Sequence, residues 1–507
     1  MQATIAFDQL VALALLQTPP CAADFAVQSG TQYPYCTSGG FTSTNFMDCS
    51  CKRSGGYVVE SSPHAKEVGF KRATHERRLA ATTASGRVPN PKQDASSNAT
   101  ITESDLALAF PAPLVLPGDD LALDPSYPPQ SLRSWKREPE RNKITRDRQI
   151  IYVAAPPVIN ANVKGMGAWS SPKDDGRDNQ PSLELPKVAE LVAFLSAFYH
   201  GLPVKELDEP FEFFPWEADE PKRKRARGGT GRGKAAVPEQ EATTPHVGLR
   251  FRDGCTRVRT RPCPDGVFSR QLCLSDMLDA VLEMVPQDAY AVLLLADHDT
   301  YEDEDDDFCC GRAFGGSRIA VVSSARYHPM LDPIIDRPHM WPASHCRDHV
   351  ASLCDGAATT AAADLVAPSP MRSALDAAAM LRQDAIDLVG LWFSRVCRTA
   401  AHELGHCLGL DHCVYYACIM QGTAGMAEDY RQPPYTCPIC SRKLAHAVAT
   451  ELGSSSILLG DDAVCSEDEY LMARNRALLL VCQKWPQVAM FAGYCAWLEG
   501  VMARKQP

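Results

Sequence analysis

Apolar positions recur with two different spacings along this chain from about residue 141 onward. Apolar runs rich in β-branched residues predict three strands, at 150–154, 290–299 and 315–327. Apolar residues at helical spacing predict two amphipathic helices, at 186–201 and 273–286, with Ser275 as an N-cap of the second. This part of the chain is therefore expected to fold with both strands and helices.

Two longer helical patterns follow. Residues 381–410 predict one long helix, which runs into a cluster of histidines and cysteines. Residues 466–505 predict one or two helices with a break near Pro486, because proline cannot continue a helix. We assign residues 141–455 to one domain and 456–507 to a C-terminal helical segment.

The remaining segments lack this regular apolar spacing. Residues 1–140 are rich in Ser, Thr, Pro and Gly, and such a composition buries too little apolar surface to offset the cost of ordering. We expect this region to be largely disordered. Residues 216–246 contain a basic, glycine-rich insertion that predicts a flexible loop, and the acidic run at 302–307 predicts a charged loop between two strands.

Charge and cysteine content narrow the class of protein. A net charge of −11 over 507 residues argues against a general nucleic-acid-binding or anionic-membrane surface, and no apolar stretch is long enough to cross a membrane. The 20 cysteines include neighbours in Cys-x-Cys and Cys-Cys pairs that rarely reach disulfide geometry. We therefore expect an intracellular protein, in the cytoplasm or nucleus, whose cysteines bind metal.

The sequence AHELGHCLGLDH, residues 401–412, indicates a metal site. His402 and His406 are four residues apart, so on a helix both project from one face and can bind a single zinc ion. Glu403 lies beside them and can reach a water molecule on the metal. Gly409 permits the turn that ends the helix, after which His412 can supply a third ligand. The alternative is three histidines buried in a core, which this five-position pattern disfavours.

The cysteines that follow predict a second metal. Because Cys413 directly follows His412, the two side chains diverge and suit two metals better than one. The spacing C-x4-C…C-x2-C is that of a closed four-thiolate structural zinc site. Its ligands would be Cys413, Cys418, Cys437 and Cys440. The alternative is four free cysteines. Met420, two residues after Cys418, would lie beneath the first metal.

The combined pattern HExxHxxGxxHC-x4-CxM, followed by CxxC, resembles the archaemetzincin family of zinc metallopeptidases, within the metzincin clan. The resemblance implies a catalytic zinc on His402, His406 and His412, a second zinc on the four cysteines, Glu403 as general base and Met420 as the Met-turn. It also implies the fold class, α/β (α+β): a twisted mixed sheet backed by helices, with the active-site helix beneath a cleft.

The function expected from this resemblance is zinc-dependent hydrolysis of peptide bonds, aminopeptidase-like on short peptides, by Glu-assisted attack of zinc-bound water. A peptide substrate could align along the strand at 315–327, and the acidic run at 302–307 could attract its N-terminus. The alternative is a two-zinc scaffold or binding protein whose peptidase centre is vestigial. The N-terminal region or the basic insertion would then recruit partners, with nucleic acid not expected among them.

Overall fold

A five-stranded mixed sheet is the main element of the computed structural model. The structure describes residues 62–89, 106–173, 183–184, 187–216, 246–332, 340–345, 350, 369–381, 387–452 and 466–504, all within one unit spanning residues 42–507. Its strands in chain order are β1 Ile150–Ala154, β2 Val158–Ile159, β3 Val204–Glu206, β4 Glu212–Pro215, β5 His246–Phe251, β6 Gly254–Pro262, β7 Arg270–Cys273, β8 Ala289–Ala296, β9 Thr300–Tyr301, β10 Gly311–Phe314 and β11 Ile319–Ser323.

Helices cover both faces of this sheet. In chain order the helices of the described residues are α1 Pro63–Glu67, α2 His75–Ala81, α3 Asp120–Leu123, α4 Leu132–Arg137, α5 Val188–Phe198, α6 Leu274–Leu282, α7 Pro370–Ala379, α8 Leu388–Cys407, α9 Met426–Arg431, α10 Pro438–Ala445, α11 Glu467–Cys482 and α12 Ala489–Arg504. Helices α5 and α8 lie on one face of the sheet and α6 lies on the other. A mixed sheet backed by helices, the fold class expected above, is thus confirmed.

The strand order in the main sheet is β10–β11–β8–β1–β3. All eight residues of β8 are buried, because alternate side chains enter two different hydrophobic clusters. Leu293 and Leu295 face the cluster that contains α8, whereas Val292 and Leu294 face the cluster that contains α6. A near-continuous apolar run is typical of a strand that is covered on both faces.

The edge of this sheet nearest to α8 is antiparallel. Strands β3, β1, β8 and β11 are parallel to one another, and β10 then pairs antiparallel with β11 from Gly311↔Val322 to Phe314↔Ile319. Among the described residues, β10 has a neighbour on one side only. The predicted strand at 315–327 is therefore too long: Arg318 adopts a positive φ of 62°, and only residues 319–323 are extended.

A second sheet of six strands lies across the α6 cluster, in the order β2–β4–β5–β6–β7–β9. Its buried side chains meet α6, which begins at Leu274 with Cys273 as N-cap rather than the predicted Ser275. The predicted helix at 186–201 is α5, and the expected break near Pro486 separates α11 from α12. Among the described residues, no helix combines the length and apolarity needed to cross a membrane.

The N-terminal region contributes more to the fold than its composition predicts. Residues 62–89 and 106–140 contain α1 to α4, and Trp135 on α4 is fully buried. The expectation of disorder is wrong for these residues, because a few apolar anchors dock them onto the rest of the protein. Residues 1–61 and 90–105 and most of the basic insertion, 217–245, lie outside the described residues. The proposed domain boundaries stay a prediction.

Candidate metal centre

Helix α8 presents the first two histidines of the motif. The helix starts at Leu388, where the Asp387 side chain caps it by accepting from Gly390 N, and it is buried along most of its length. The Nε2 atoms of His402 and His406 lie 3.0 Å apart, because residues four apart occupy the same face. Two imidazole nitrogens therefore converge on one point.

Each of these imidazoles is held through its other nitrogen. His402 Nδ1 donates to the carbonyl of Ile419 over 2.6 Å, and His406 Nδ1 donates to the carbonyl of Leu410 over 2.7 Å. Such bonds fix the proton on Nδ1 and leave the Nε2 lone pair available for a metal. The two carbonyls thus select the tautomer that a zinc ligand requires.

A tight turn delivers the third histidine. Gly409 has a φ of +77°, a left-handed conformation that favours glycine, and it ends the helix. Beyond it, the His412 ring centroid lies 5.4 Å from that of His402 and 5.0 Å from that of His406. One ligand nitrogen from each ring lies within 4.8 Å of the others. The structure therefore brings together the three histidines that the motif singled out.

This donor set fits a zinc ion. Imidazole binds zinc in its neutral form, and burial lowers the pKa of His402 well below its usual value and that of His406 to about 3. Three neutral nitrogens and an adjoining cavity match a zinc centre that keeps one position open.

The side chain of Glu403 extends from α8 toward the edge strand β10. Only 7% of its surface is exposed, and burial raises its pKa to about 8 although the Arg312 guanidinium acts in the opposite direction. A Cβ on Gly311 would lie 3.1 Å from both Cγ and Oε1 of Glu403, so the edge strand passes directly over this carboxyl group. Glycine at position 311 makes that approach possible.

A polar cavity of about 560 Å³ opens over these groups. His402, Glu403, His406 and His412 all line it, and strand β10 contributes one wall. Charged side chains supply much of the remaining lining: Glu138, Glu140, Arg141, Glu302, Arg312 and Asp411. Such a cavity favours a substrate with charged or main-chain polar groups over a purely apolar one.

The strand that the sequence suggested for substrate binding is not at the edge of the sheet. Strand β11, within the predicted range 315–327, has neighbours on both sides, β10 and β8, so its main-chain groups are already paired. In the part of the chain that the structure describes, β10 is the edge strand at this end of the sheet and β3 is the edge strand at the other. Of the acidic run at 302–307, only Glu302 lines the cavity, where it pairs with Arg312 at 2.5 Å.

The four cysteines form a separate, closed cluster. Their sulfur atoms all lie within 4.8 Å of one another, and no side chain is more than 4% exposed. The Sγ atoms of Cys413 and Cys437 are 3.6 Å apart. Four thiolates about 2.3 Å from a tetrahedral zinc would be separated by about 3.8 Å, so the observed spacing fits a structural zinc. The other two cysteines of the cluster are Cys418 and Cys440.

One loop joins the two clusters. This loop runs from Cys413 to Met420 and includes Cys418. It is closed by a hydrogen bond in which Cys413 N donates to Met420 O over 2.6 Å. Met420 lies beneath α8, because a Cβ on Gly405 would lie only 2.5 Å from its sulfur. The carbonyl of Ile419 in the same loop holds His402. The cysteine cluster thus anchors the loop that supports the histidines.

Contacts from the N-terminal region were missed by the sequence analysis. Trp135 Nε1 donates to Leu408 O over 3.0 Å, and the Gln130 side chain bonds both Gly409 O and Asp411 N. These bonds hold the turn before His412. The available signal was the Ser131 N-cap followed by apolar residues at helical spacing, which indicates a short helix but not its docking site.

The part of the chain that contains these two clusters is similar in sequence to known proteins. The family model described as Peptidase family M54 matches residues 384–446. Archaemetzincin-2 of Mus musculus is 29% identical over 185 residues, which is 36% of this chain and 44% of that protein. Archaemetzincin-1 of Homo sapiens is 31% identical over 196 residues, 39% of this chain and 34% of that protein. The chain thus spans less than half the length of these curated relatives.

Among solved structures, an archaemetzincin from Methanopyrus kandleri covers 60% of this chain and 97% of its own, at 17% identity. Its TM-score of 0.28 is too low to carry weight for the fold. The matched segment begins four residues before α8 and contains both ligand clusters. The resemblance to the archaemetzincins is therefore confirmed, and within it residues 384–446 match the model of Peptidase family M54.

Proposed function

We propose that this chain is a zinc-dependent metallopeptidase that trims short peptides from a free N-terminus, with Glu403 as general base. The observation that carries this proposal is the placement of Glu403: a buried carboxyl group next to three converging imidazoles, at the floor of an open polar cavity. A purely structural metal site has no use for a carboxyl group in that position.

Two zinc ions per chain are part of this proposal. His402, His406 and His412 would hold the first, and the four-cysteine cluster would hold the second. When bound at the histidines, zinc supplies Lewis-acid activation of water and polarisation of the scissile carbonyl. The second site, with four buried ligands and no access to the cavity, would serve stability alone.

Glu403 would move the proton. Burial raises the pKa of this carboxyl group, so Glu403 holds a proton more readily than an exposed glutamate does. In its ionised form the carboxylate can accept a proton from the attacking water, and it can then give that proton to the departing amine. Edge strand β10 holds Gly311 against Glu403 and so fixes this carboxyl group within the cavity wall.

The free edge of β10 supports binding of an extended peptide. Its main-chain groups on the side away from β11 can pair with a substrate strand, which gives affinity without regard to side chains. The carboxylates of Glu138 and Glu140 line the same cavity and would attract a substrate ammonium group, whereas Glu302 is paired with Arg312. This arrangement favours an aminopeptidase over an endopeptidase.

The test is a peptide-library digest with wild type and Glu403→Gln. We expect Glu403→Gln to lower kcat by about 100- to 10,000-fold, because the proton acceptor is lost, while the zinc content is unchanged. Glu283→Gln, at an exposed position after α6, is the matched control and should keep full activity. Undiminished turnover by Glu403→Gln would exclude the proposed mechanism.

The same library separates the finer claims. Cleavage of N-acetylated and free peptides at equal rates would exclude aminopeptidase action while leaving metallopeptidase activity in place. A wild-type chain that binds zinc but cuts no peptide of the library would favour the scaffold alternative.

Partner binding through the N-terminal region or the basic insertion stays a prediction, as does an intracellular location.

A further inference from the structure

The third histidine is held differently from the first two. His402 and His406 donate from Nδ1 to backbone carbonyls of the loops beside α8. His412 Nδ1 instead lies across Gly422 from the carboxylate of Asp120, in the N-terminal region, without a direct hydrogen bond between them. A Cβ on Gly422 would lie 2.2 Å from Asp120 Oδ2 and 2.8 Å from His412 Nδ1, so the two side chains approach each other over this glycine. Position 422 has no room for a larger residue.

Asp120 is also the main charge that acts on this imidazole. Burial lowers the pKa of His412, and Asp120 is the largest of the charges that act in the opposite direction, ahead of Asp411 and Cys413. Tyr127, from the same N-terminal segment, packs its ring 5.7 Å from the His412 ring. The N-terminal segment therefore supplies both a charge and a packing surface to the third ligand.

The backbone around Asp120 is itself fixed. Asp120 N donates to Glu428 Oε2 over 2.8 Å, and the same carboxylate oxygen accepts from Ala424 N over 2.8 Å. The neighbouring Asp119 accepts from Leu116 N over 2.8 Å and pairs with Arg431. Because these bonds tie the start of α3 to α9, the backbone that carries the Asp120 carboxylate is fixed before any metal arrives.

We propose that Asp120 is a positioning residue for His412: its carboxylate attracts the Nδ1 proton and so orients the ring with Nε2 toward the metal. A carboxylate partner of this kind fixes the tautomer and orientation of a zinc-binding imidazole. The inference rests on the zinc site of the proposed function, and it places a working part of that site outside residues 384–446, the segment that the family model matches.

The experiment measures zinc affinity of the full chain by competition with a chromophoric zinc chelator. Loss of a carboxylate partner of a zinc-bound histidine weakens metal binding by about 10- to 100-fold. We expect Asp120→Ala to raise the Kd of the histidine centre within this range and Asp120→Asn, which keeps an acceptor oxygen, to raise it less. The cysteine centre should keep its zinc in both variants.

Asp124→Asn is the matched control. Asp124 directly follows the same short helix and is exposed, and its carboxylate accepts from Ser126 N and Oγ. In this variant the Kd of the histidine centre should stay within about twofold of wild type, while the net charge changes as it does in Asp120→Asn. A Kd for Asp120→Ala within twofold of wild type would overturn the proposal. Loss of folding in both Asp120 variants, measured by circular dichroism of chains that keep zinc at the cysteine centre and compared with wild type, would also overturn it and assign Asp120 to stability.

This readout is independent of catalysis. Absence of peptide turnover in wild type, with the expected order of Kd values, would overturn the proposed function alone. Absence of zinc at the histidine centre of wild type would overturn both.

Discussion

The two ligand clusters differ in how each is enclosed, although one loop joins them. The four cysteines are buried on all sides, and each sulfur faces the other three. The three histidines line the floor of a cavity. Backbone carbonyls hold His402 and His406, whereas His412 lies across Gly422 from the carboxylate of Asp120, a residue far away in the chain. A closed cluster can contribute only rigidity, whereas an open one can admit a substrate. The chain therefore combines a closed ligand cluster with an open one.

The largest effect is expected at the closed centre. Replacement of Cys437 by Ser should release one zinc and lower the free energy of unfolding by several kcal/mol, since structural zinc contributes on the order of 10 kcal/mol to small folded domains. Zinc content and chemical denaturation measure both quantities.

Cys397→Ser provides the matched control, because Cys397 is fully buried on α8 but belongs to neither cluster. It should cost about 1–3 kcal/mol, the price of a buried hydroxyl, and keep both zinc ions. Equal losses in the two variants would remove the distinction between a ligand and an ordinary buried cysteine.

A smaller loss of stability is expected at the open centre. His406→Ala should release the other zinc and lower the free energy of unfolding by up to about 4 kcal/mol when free zinc is 1,000 times its Kd. The fold should persist, because the cysteine centre still anchors the loop that contains Met420. Metal analysis and far-UV circular dichroism measure the outcome.

His246→Ala, on β5 of the second sheet, is the control and should keep both zinc ions. Loss of both zinc ions in His406→Ala would show that the two centres assemble as one unit, and the comparison above would fail.

Both clusters could be predicted from sequence because their geometry is local. A helix alone places His402 and His406 on one face, and Gly409 alone permits the turn toward His412. The length of the strand near 315–327 could not be predicted, because an apolar run does not reveal that Arg318 adopts a left-handed conformation.

The docking of the N-terminal region could not be predicted for a different reason. Trp135 and Leu408 are 273 residues apart in the chain, and no spacing rule relates such partners. The Ser-, Thr-, Pro- and Gly-rich composition before residue 140 predicts disorder, yet Trp135 anchors its segment through one buried indole. The proposed role of Asp120 could not be predicted from sequence for the same reason, because it depends on Gly422 and His412, which lie far away in the chain.

The link between the clusters can be tested at Gly405. A Cβ there would lie 2.5 Å from Met420 Sδ and 2.9 Å from its Cε, and overpacking of a core typically costs about 1–3 kcal/mol. Alanine gains up to about 1 kcal/mol over glycine in a helix, so we expect Gly405→Ala to destabilise the protein by about 1–2 kcal/mol. Thermal or chemical denaturation provides the measurement.

A double-mutant cycle with Met420→Ala isolates this contact. Removal of the Met420 side chain should relieve the clash, so Gly405→Ala should cost less in the Met420→Ala background than in wild type. Strict additivity would mean that the loop moves away freely and that the cysteine centre does not hold Met420 in place.

The smallest loss of stability is expected at Tyr199, which directly follows α5 and contacts α8 on a side that the cysteine loop does not support. The buried hydroxyl of Tyr199 donates to Ala401 O over 2.5 Å, one residue before His402. Tyr199→Phe should lower the free energy of unfolding by about 1 kcal/mol and leave zinc at the cysteine centre unchanged. Tyr152→Phe, whose hydroxyl bonds Asp288 at the surface, should change stability by less than about 0.5 kcal/mol. If the two variants lose the same stability, the hydroxyl of Tyr199 contributes nothing specific, and the open centre depends on the cysteine-anchored loop alone.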